Sequence, residues 1–177
     1  MLVLSTVCTL ILSAANIFYQ KASVIFEKRL YQVILDLFAI ESSPENVVSV
    51  FGENFSVNTI AQKKYYLNKN NNIMVFKAEG PGLWSRIEIL LAVNPDRESL
   101  YGLRIIQQAE TPGLGGRIAE SEFMDSFKDR EIRPVLKIVK FAQNVNEIDA
   151  ISGATKTSKA LENIINNGIR KMDTDIK

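Results

Sequence analysis

The first twenty residues carry no charged side chain, and this constrains the chain more than anything after them. From Leu2 to Tyr19, Leu2, Val3, Leu4, Val7, Leu10, Ile11, Leu12, Ala14, Ala15, Ile17 and Phe18 fall on all sides of a helix and not along one stripe. Such a helix is about 27 Å long at 1.5 Å per residue, close to the bilayer's hydrocarbon thickness of about 30 Å. Residues 1–20 are therefore read as a transmembrane helix, with Tyr19 and Lys21 at the interface. Two alternatives stand beside it. One is a cleaved signal peptide, for which Ser13-Ala14-Ala15 supplies small residues but no basic segment precedes the apolar run. The other is a buried core helix. Lys21, Lys28 and Arg29 follow the run, so the positive-inside rule on its own puts the remainder in the cytoplasm.

Beyond the apolar run the pattern becomes amphipathic. Phe26, Leu30, Val33, Ile34, Leu37 and Phe38 recur at helical spacing with Glu27, Lys28, Arg29 and Asp36 between them. This predicts a helical continuation over residues 21–43 that ends near Ser42-Ser43-Pro44, because the residue before proline avoids the helical region. Residues 44–177 are left for one folded domain. The chain is 46% hydrophobic, enough for a core, and its 21 basic and 20 acidic residues leave no electrostatic footprint for nucleic acid. It has no histidine and one cysteine, Cys8. An internal disulfide, a cysteine-rich zinc site, an iron–sulfur cluster and a histidine-based triad are thereby excluded for this chain alone. Redox work would need a cofactor of another kind.

The domain reads as α+β. Lys63–Leu67 and Ile73–Lys77 are short strand candidates around the turn-rich Asn68–Asn72. Arg86–Val93 is a stronger one: Ile87, Ile89, Leu91 and Val93 share one face, with Leu90 and Ala92 on the other, so both faces are expected to be covered. Asn94–Ser99 makes a hairpin-like connection to a partner strand over Leu100–Gln107. Ala119–Lys128 is predicted as a helix burying Phe123, Met124 and Phe127, and Val135–Phe141 as an alternating strand. Lys156–Lys171 is the clearest helix, its stripe formed by Ala160, Leu161, Ile164, Ile165 and Ile169. Strands and helices do not alternate strictly, which favours α+β over a doubly wound sheet.

Two loops hold the residues of chemical interest. Glu110-Thr111-Pro112-Gly113-Leu114-Gly115-Gly116 is glycine-rich enough for backbone to approach a ligand, and equally suits an ordinary strand-to-helix loop. Ser152-Gly153-Ala154-Thr155-Lys156-Thr157-Ser158 precedes the last helix. Its hydroxyls suit N-capping, and the free amides and dipole there also suit a phosphate. The GxxxxGK[ST] spacing of a P-loop is absent.

Asp149-Ala150-Ile151-Ser152-Gly153-Ala154-Thr155 resembles the flavinylation signature D-x-x-[ST]-G-A-T, and Glu110–Gly115 resembles a second motif, E-T-P-G-L-G, of the same proteins. Gly82-Leu83-Trp84-Ser85 resembles a third. With the order anchor, G-L-W-S, E-T-P-G-L-G, S-G-A-T, helix, the whole chain is similar to FMN-binding subunits of two related membrane complexes. These are the G subunit of the Rnf complex, an ion-translocating ferredoxin:NAD oxidoreductase, and the C subunit of the sodium-translocating NADH:quinone oxidoreductase. Arg117–Phe123 looks more like the Rnf protein, whereas G-L-W-S is more typical of the quinone reductase.

The resemblance implies an α+β FMN-binding domain with an N-terminal transmembrane helix. It implies FMN joined through its phosphate to the Thr155 hydroxyl by a separate flavin transferase, with Thr157 the nearest alternative threonine. It places Ser152, Gly153, Ala154 and Asp149 at the attachment segment, Asp149 in recognition or metal binding during attachment. Glu110, Thr111, Gly113, Leu114 and Gly115 are implied to hold the isoalloxazine ring, with Trp84 either near that ring or in the core. Gln108-Ala109 stands where many relatives carry His-Gly. No catalytic residue and no resident metal are implied: the chain would pass electrons among other membrane subunits of a redox complex without catalysing alone. The family location is the cytoplasmic membrane, single-pass, with the domain on the outer or periplasmic face, against the charge reading. A flavin-free assembly module and a free-standing flavin reductase domain are the other functional readings.

Overall fold

The structure is a computed structural model and describes residues 12–13 and 23–176. The expected membrane-spanning segment, residues 1–20, lies outside the described residues apart from Leu12 and Ser13. Among the described residues no helix is long and apolar enough to cross a membrane. The chain divides into two compact units, Met1–Phe51 and Gly52–Lys177.

In the first unit residues 23–37 are helical (α1). The helix ends in a Schellman arrangement: Ile40 N–H donates to Leu35 O and Ala39 N–H to Asp36 O, with Ala39 at φ 54°. Tyr31 stacks on Phe51 with ring centroids 3.9 Å apart. Helix α2, Val47–Asn54, follows a turn in which Asn46 Oδ1 accepts the Ser43 N–H.

The second unit is built on a five-stranded antiparallel meander in sequence order: β1 (Phe55–Ile60), β2 (Lys63–Asn68), β3 (Met74–Pro81), β4 (Arg86–Val93) and β5 (Leu100–Gln107). β4 and β5 have the predicted bounds, joined by a tight connection in which Asn94 N–H donates to Ser99 O. From Ile89 to Val93 every β4 residue is buried, as expected of an interior strand covered on both faces. A second, two-stranded parallel sheet pairs β6 (Lys137–Val139) with β7 (Glu147–Asp149).

Helix α4, Thr155–Asp175, lies on one face of the meander and buries Leu161, Ile164, Ile165, Ile169 and Met172. They pack with Tyr65, Phe76, Ile87, Ile89, Leu91 and Val93 in one core, which Ile118, Phe127, Leu136 and Ile148 extend. Close approach depends on small residues. A Cβ on Gly168 would stand 2.7 Å from Ala78 Cβ, and one on Gly80 2.7 Å from Ile164 Cγ1. The far end of α4 is tied down by Arg133, whose guanidinium donates to both carboxylate oxygens of Asp173 at 2.7 and 2.8 Å.

Three sequence expectations change. The helical continuation expected to end near Ser42-Ser43-Pro44 stops at residue 37, where Ala39 takes a left-handed conformation and the Ile40 amide closes on Leu35 O. The helix expected over 119–128 is a 3₁₀ turn, Gly115–Ala119, followed by the short α3, Ser121–Asp125. Phe127 is buried as expected, but Phe123 and Met124 are only half-buried. The strand expected over 135–141 is reduced to β6: just before it the Leu136 amide donates to Asn166 Oδ1 of α4, and within it the Ile138 amide donates to Glu162 Oε2.

The two helical glycines should respond oppositely to alanine. Gly52 in α2 has nothing within 4 Å of a new Cβ, so Gly52→Ala should stabilise by about 0.5–1 kcal/mol. Gly168→Ala gains a similar propensity, about 1 kcal/mol, but its Cβ collides with Ala78 and lies 3.2 Å from Leu91 Cδ1. Overpacking of about 1–3 kcal/mol should win. Urea midpoints that move the same way in both variants would refute this account of α4 packing.

Candidate functional site

One end of the meander carries two turns side by side, since β5 ends opposite the start of β4. Between β3 and β4, Gly82–Ser85 closes through Gly82 N–H donating to Ser85 O at 2.7 Å. After β5, Ala109 N–H donates to Ser85 Oγ at 2.8 Å, and Glu110 N–H to Gln108 Oε1 at 2.6 Å. Glu110 is 4% exposed. Its Oε1 accepts the amides of Trp84 at 3.0 Å and Ser85 at 3.2 Å, and its Oε2 accepts the Thr157 hydroxyl at 2.7 Å. One carboxylate thus joins the G-L-W-S turn, the E-T-P-G-L-G loop and the first turn of α4.

The glycines in these motifs make room for that junction. A Cβ on Gly82 would stand 2.5 Å from Glu110 Oε1 and 2.8 Å from Ser85 O, and one on Gly115 2.6 Å from Thr157 Oγ1. In the second loop Thr111 O accepts the Leu114 and Gly116 amides, around Gly113 at φ 72°. Leu114 emerges 45% exposed and abuts Gly153, where a Cβ would lie 3.1 Å from Leu114 Cδ2. Leu83 is 44% and Trp84 73% exposed, so Trp84 is a surface residue and not a core one.

The start of α4 is not capped by the hydroxyls that surround it. Its N-cap is Ala154, with no side-chain cap bond. Thr157 is committed to Glu110, and Ser158 Oγ accepts the Ile151 amide at 3.2 Å. Both are buried, whereas Ser152, Gly153, Thr155 and Lys156 are exposed. Thr155 and Thr157 therefore differ sharply: one residue is exposed to solvent, and the other is buried with its hydroxyl in a hydrogen bond. Asp149, in β7, is exposed, and its Oδ1 accepts the Ala142 amide at 2.7 Å. It lines a cavity of about 390 Å³ with Arg117, Phe123, Arg130, Ile151 and Ser152, directly before Gly153.

These residues fit a flavin phosphoester. Free amides at a helix start accept an anion, Thr155 is exposed, and Leu83, Trp84 and Leu114 are exposed apolar residues of the two loops that Glu110 joins to the start of α4. Residue spacing does not disclose the Glu110–Thr157 bond, whose partners are 47 residues apart. The Gln108–Glu110 bond is a local side-chain-to-backbone turn and was open to sequence reasoning.

Burial would raise the Glu110 pKa, but hydrogen bonds from Trp84, Thr157 and Ser85 outweigh it and hold the carboxyl below its ordinary 4.5. A depressed folded value makes its stabilisation complete above 4.5 and lost as pH falls through the folded value, where the unfolded chain binds the extra proton. The stability gap between the native protein and Glu110→Gln, from urea unfolding, should hold at neutral pH and narrow on acidification below 4.5. A gap independent of pH would contradict an ionised Glu110.

Residues 82–170, half of the chain, match the FMN-binding domain family. The chain is 34% identical over 112 residues to the G subunit of the proton-translocating ferredoxin:NAD(+) oxidoreductase complex of Clostridium ljungdahlii, covering 62% of this chain and 60% of that protein. It is 33% identical over 142 residues to the C subunit of the Na(+)-translocating NADH-quinone reductase of Haemophilus ducreyi, covering 72% of this chain and 55% of the relative. It thus spans somewhat over half the length of these relatives. The fold is also that of the C subunit of the Na(+)-translocating NADH-quinone reductase from Parabacteroides distasonis, with a TM-score of 0.61 and 20% identity over 79% of this chain and 87% of that one. With its three glycine-bearing segments drawn together inside the matched region, the chain belongs to the FMN-binding domain family.

Proposed function

We propose that the protein is a membrane-anchored electron-transfer subunit that carries FMN covalently on Thr155 within an ion-pumping redox complex of the Rnf type. The observation that supports this best is the contrast between the exposed Thr155 and the buried, hydrogen-bonded Thr157. When bound, FMN supplies the one-electron redox chemistry. The chain's own residues supply placement. Thr155 gives the oxygen of the phosphoester. The first amides of α4 and its dipole stabilise the remaining phosphate charge by about 0.3–1 kcal/mol. Leu114, which abuts Gly153, with the backbone of Thr111, Gly113 and Gly115, and the exposed Leu83 and Trp84 offer an apolar surface to the ring. Ser152, Gly153 and Ala154 keep the approach open, because only small side chains precede Thr155.

Attachment requires a flavin transferase that takes the FMN moiety from FAD, the Thr155 oxygen replacing AMP on the flavin phosphate, and an accessible segment, which Asp149–Thr155 is at Asp149, Ser152, Gly153 and Thr155. The partners in this reading are the other membrane subunits of the complex, with residues 1–20 as the anchor and the domain on the outer face of the cytoplasmic membrane. The run after the glycine loop, Arg117–Phe123, favours the Rnf-type complex over the quinone reductase.

Protein co-expressed with a flavin transferase should fluoresce in a denaturing gel, Thr155→Ala should abolish the signal, and Thr157→Val should keep it. Signal retained in Thr155→Ala would place the linkage elsewhere, and none in the parent would leave a flavin-free module. Cysteines engineered into exposed positions of the domain should react with an impermeant maleimide in intact cells. Reaction only after lysis would put the domain inside.

A further inference from the structure

Glu110 belongs to the loop that faces the isoalloxazine ring in the proposed function, yet its geometry is not that of a ligand contact. It is 4% exposed, and both its oxygens already accept hydrogen bonds from protein donors. Those donors come from two segments that the sheet alone does not hold in register. Beyond Glu110, the G-L-W-S turn is held at Ser85: Gly82 N–H donates to Ser85 O, Ala109 N–H to Ser85 Oγ, and Ser85 Oγ to Arg86 O. The first turn of α4 has no side-chain cap. Leu83 and Trp84, the exposed apolar groups of that turn, take their orientation from backbone whose amides end on Glu110 Oε1. Thr157, two residues beyond Thr155, ends on Oε2.

We infer that Glu110 is a positioning residue of the flavin site: it fixes the Leu83–Ser85 turn against the start of α4 and sets the flavin's surroundings without touching it. This rests on Thr155 as the attachment point. A carboxylate only accepts, so it suits three converging donors. Alanine at this position leaves two part-buried amides and one buried hydroxyl without their acceptor, and the buried hydroxyl carries the larger cost. The Thr155 hydroxyl stands outside the network, so attachment and surroundings separate experimentally.

The test uses the full chain made beside a flavin transferase, in Glu110→Ala, Glu110→Gln and Thr157→Val forms. In-gel fluorescence of denatured protein reads attachment; visible circular dichroism and the midpoint potential read the native surroundings. All three variants should keep the covalent flavin. Glu110→Ala should lose most of the visible dichroism, with its potential moving toward that of free FMN. Glu110→Gln, whose amide oxygen still accepts from Trp84 and Ser85, should recover the dichroism, and Thr157→Val should fall between. Parental dichroism and potential in Glu110→Ala would overturn the inference. If Glu110→Ala shows no cooperative unfolding, parental values in Thr157→Val would overturn it. The turn can also be read without flavin, because Trp84 is the only tryptophan. Its fluorescence anisotropy should fall in flavin-free Glu110→Ala, and unchanged anisotropy would refute positioning. Absence of covalent flavin in the parent would instead refute the attachment reading and leave the anisotropy result standing.

Discussion

The second unit is organised around one carboxylate with three donors. Trp84, Ser85 and Thr157 lie 26, 25 and 47 residues from Glu110, and they meet only if the sheet, the loops and α4 are all in place. Hydrogen bonds to a charged group contribute about 1.5–3 kcal/mol each, so the junction rewards correct assembly and penalises partial assembly. Its geometry sets demands elsewhere. Thr157 reaches Oε2 only if α4 sits at one height over the sheet, and that height is set by Gly168 against Ala78 and by Ile164 over Gly80. Gly82 and Gly115 leave the gaps through which the loops close on the carboxylate.

The same device recurs around the parallel pair β6–β7. Glu147 Oε2 accepts the amides of Gln143 and Asn144, Asp149 accepts that of Ala142, and Glu162 accepts that of Ile138. Parallel strands normally need a long crossover, whereas residues 140–146 connect these two directly. Side-chain carboxylates there take amides that a longer element would have paired. Asp149 is therefore part of the loop's construction as well as of the Asp149–Thr155 segment.

What could be read from the sequence follows the range of the interactions. β4, β5 and the α4 stripe were legible because burial on one or both faces leaves a periodic trace in a single segment. The 119–128 helix failed because its apolar spacing is real but the backbone is taken elsewhere. Gly115–Ala119 is a 3₁₀ turn, Ser126 Oγ donates to Phe123 O, and Asp129 at φ 59° sends its amide to Leu100 O. β1, β7 and α2 left little trace, being short and only partly buried. At the candidate site, the motif segments rest on resemblance, and the exposure of Thr155 against the burial of Thr157 was not legible. A helix advances about 100° per residue, so hydroxyls two apart face nearly opposite ways. Which of them meets water depends on where the sheet lies.

The tight seating of α4 has a mechanical meaning. Carriers that shuttle a group between distant stations usually root it on a flexible arm. In the proposed function the root is Thr155, which opens a 21-residue helix whose flank is wedged against the sheet and whose far end is gripped by Arg133 and by Lys63 and Tyr65 on Asp175. A group fixed at such a root cannot swing by loop motion. Its reach is limited to the bonds of its own linkage, and any longer excursion has to carry the entire second unit with it.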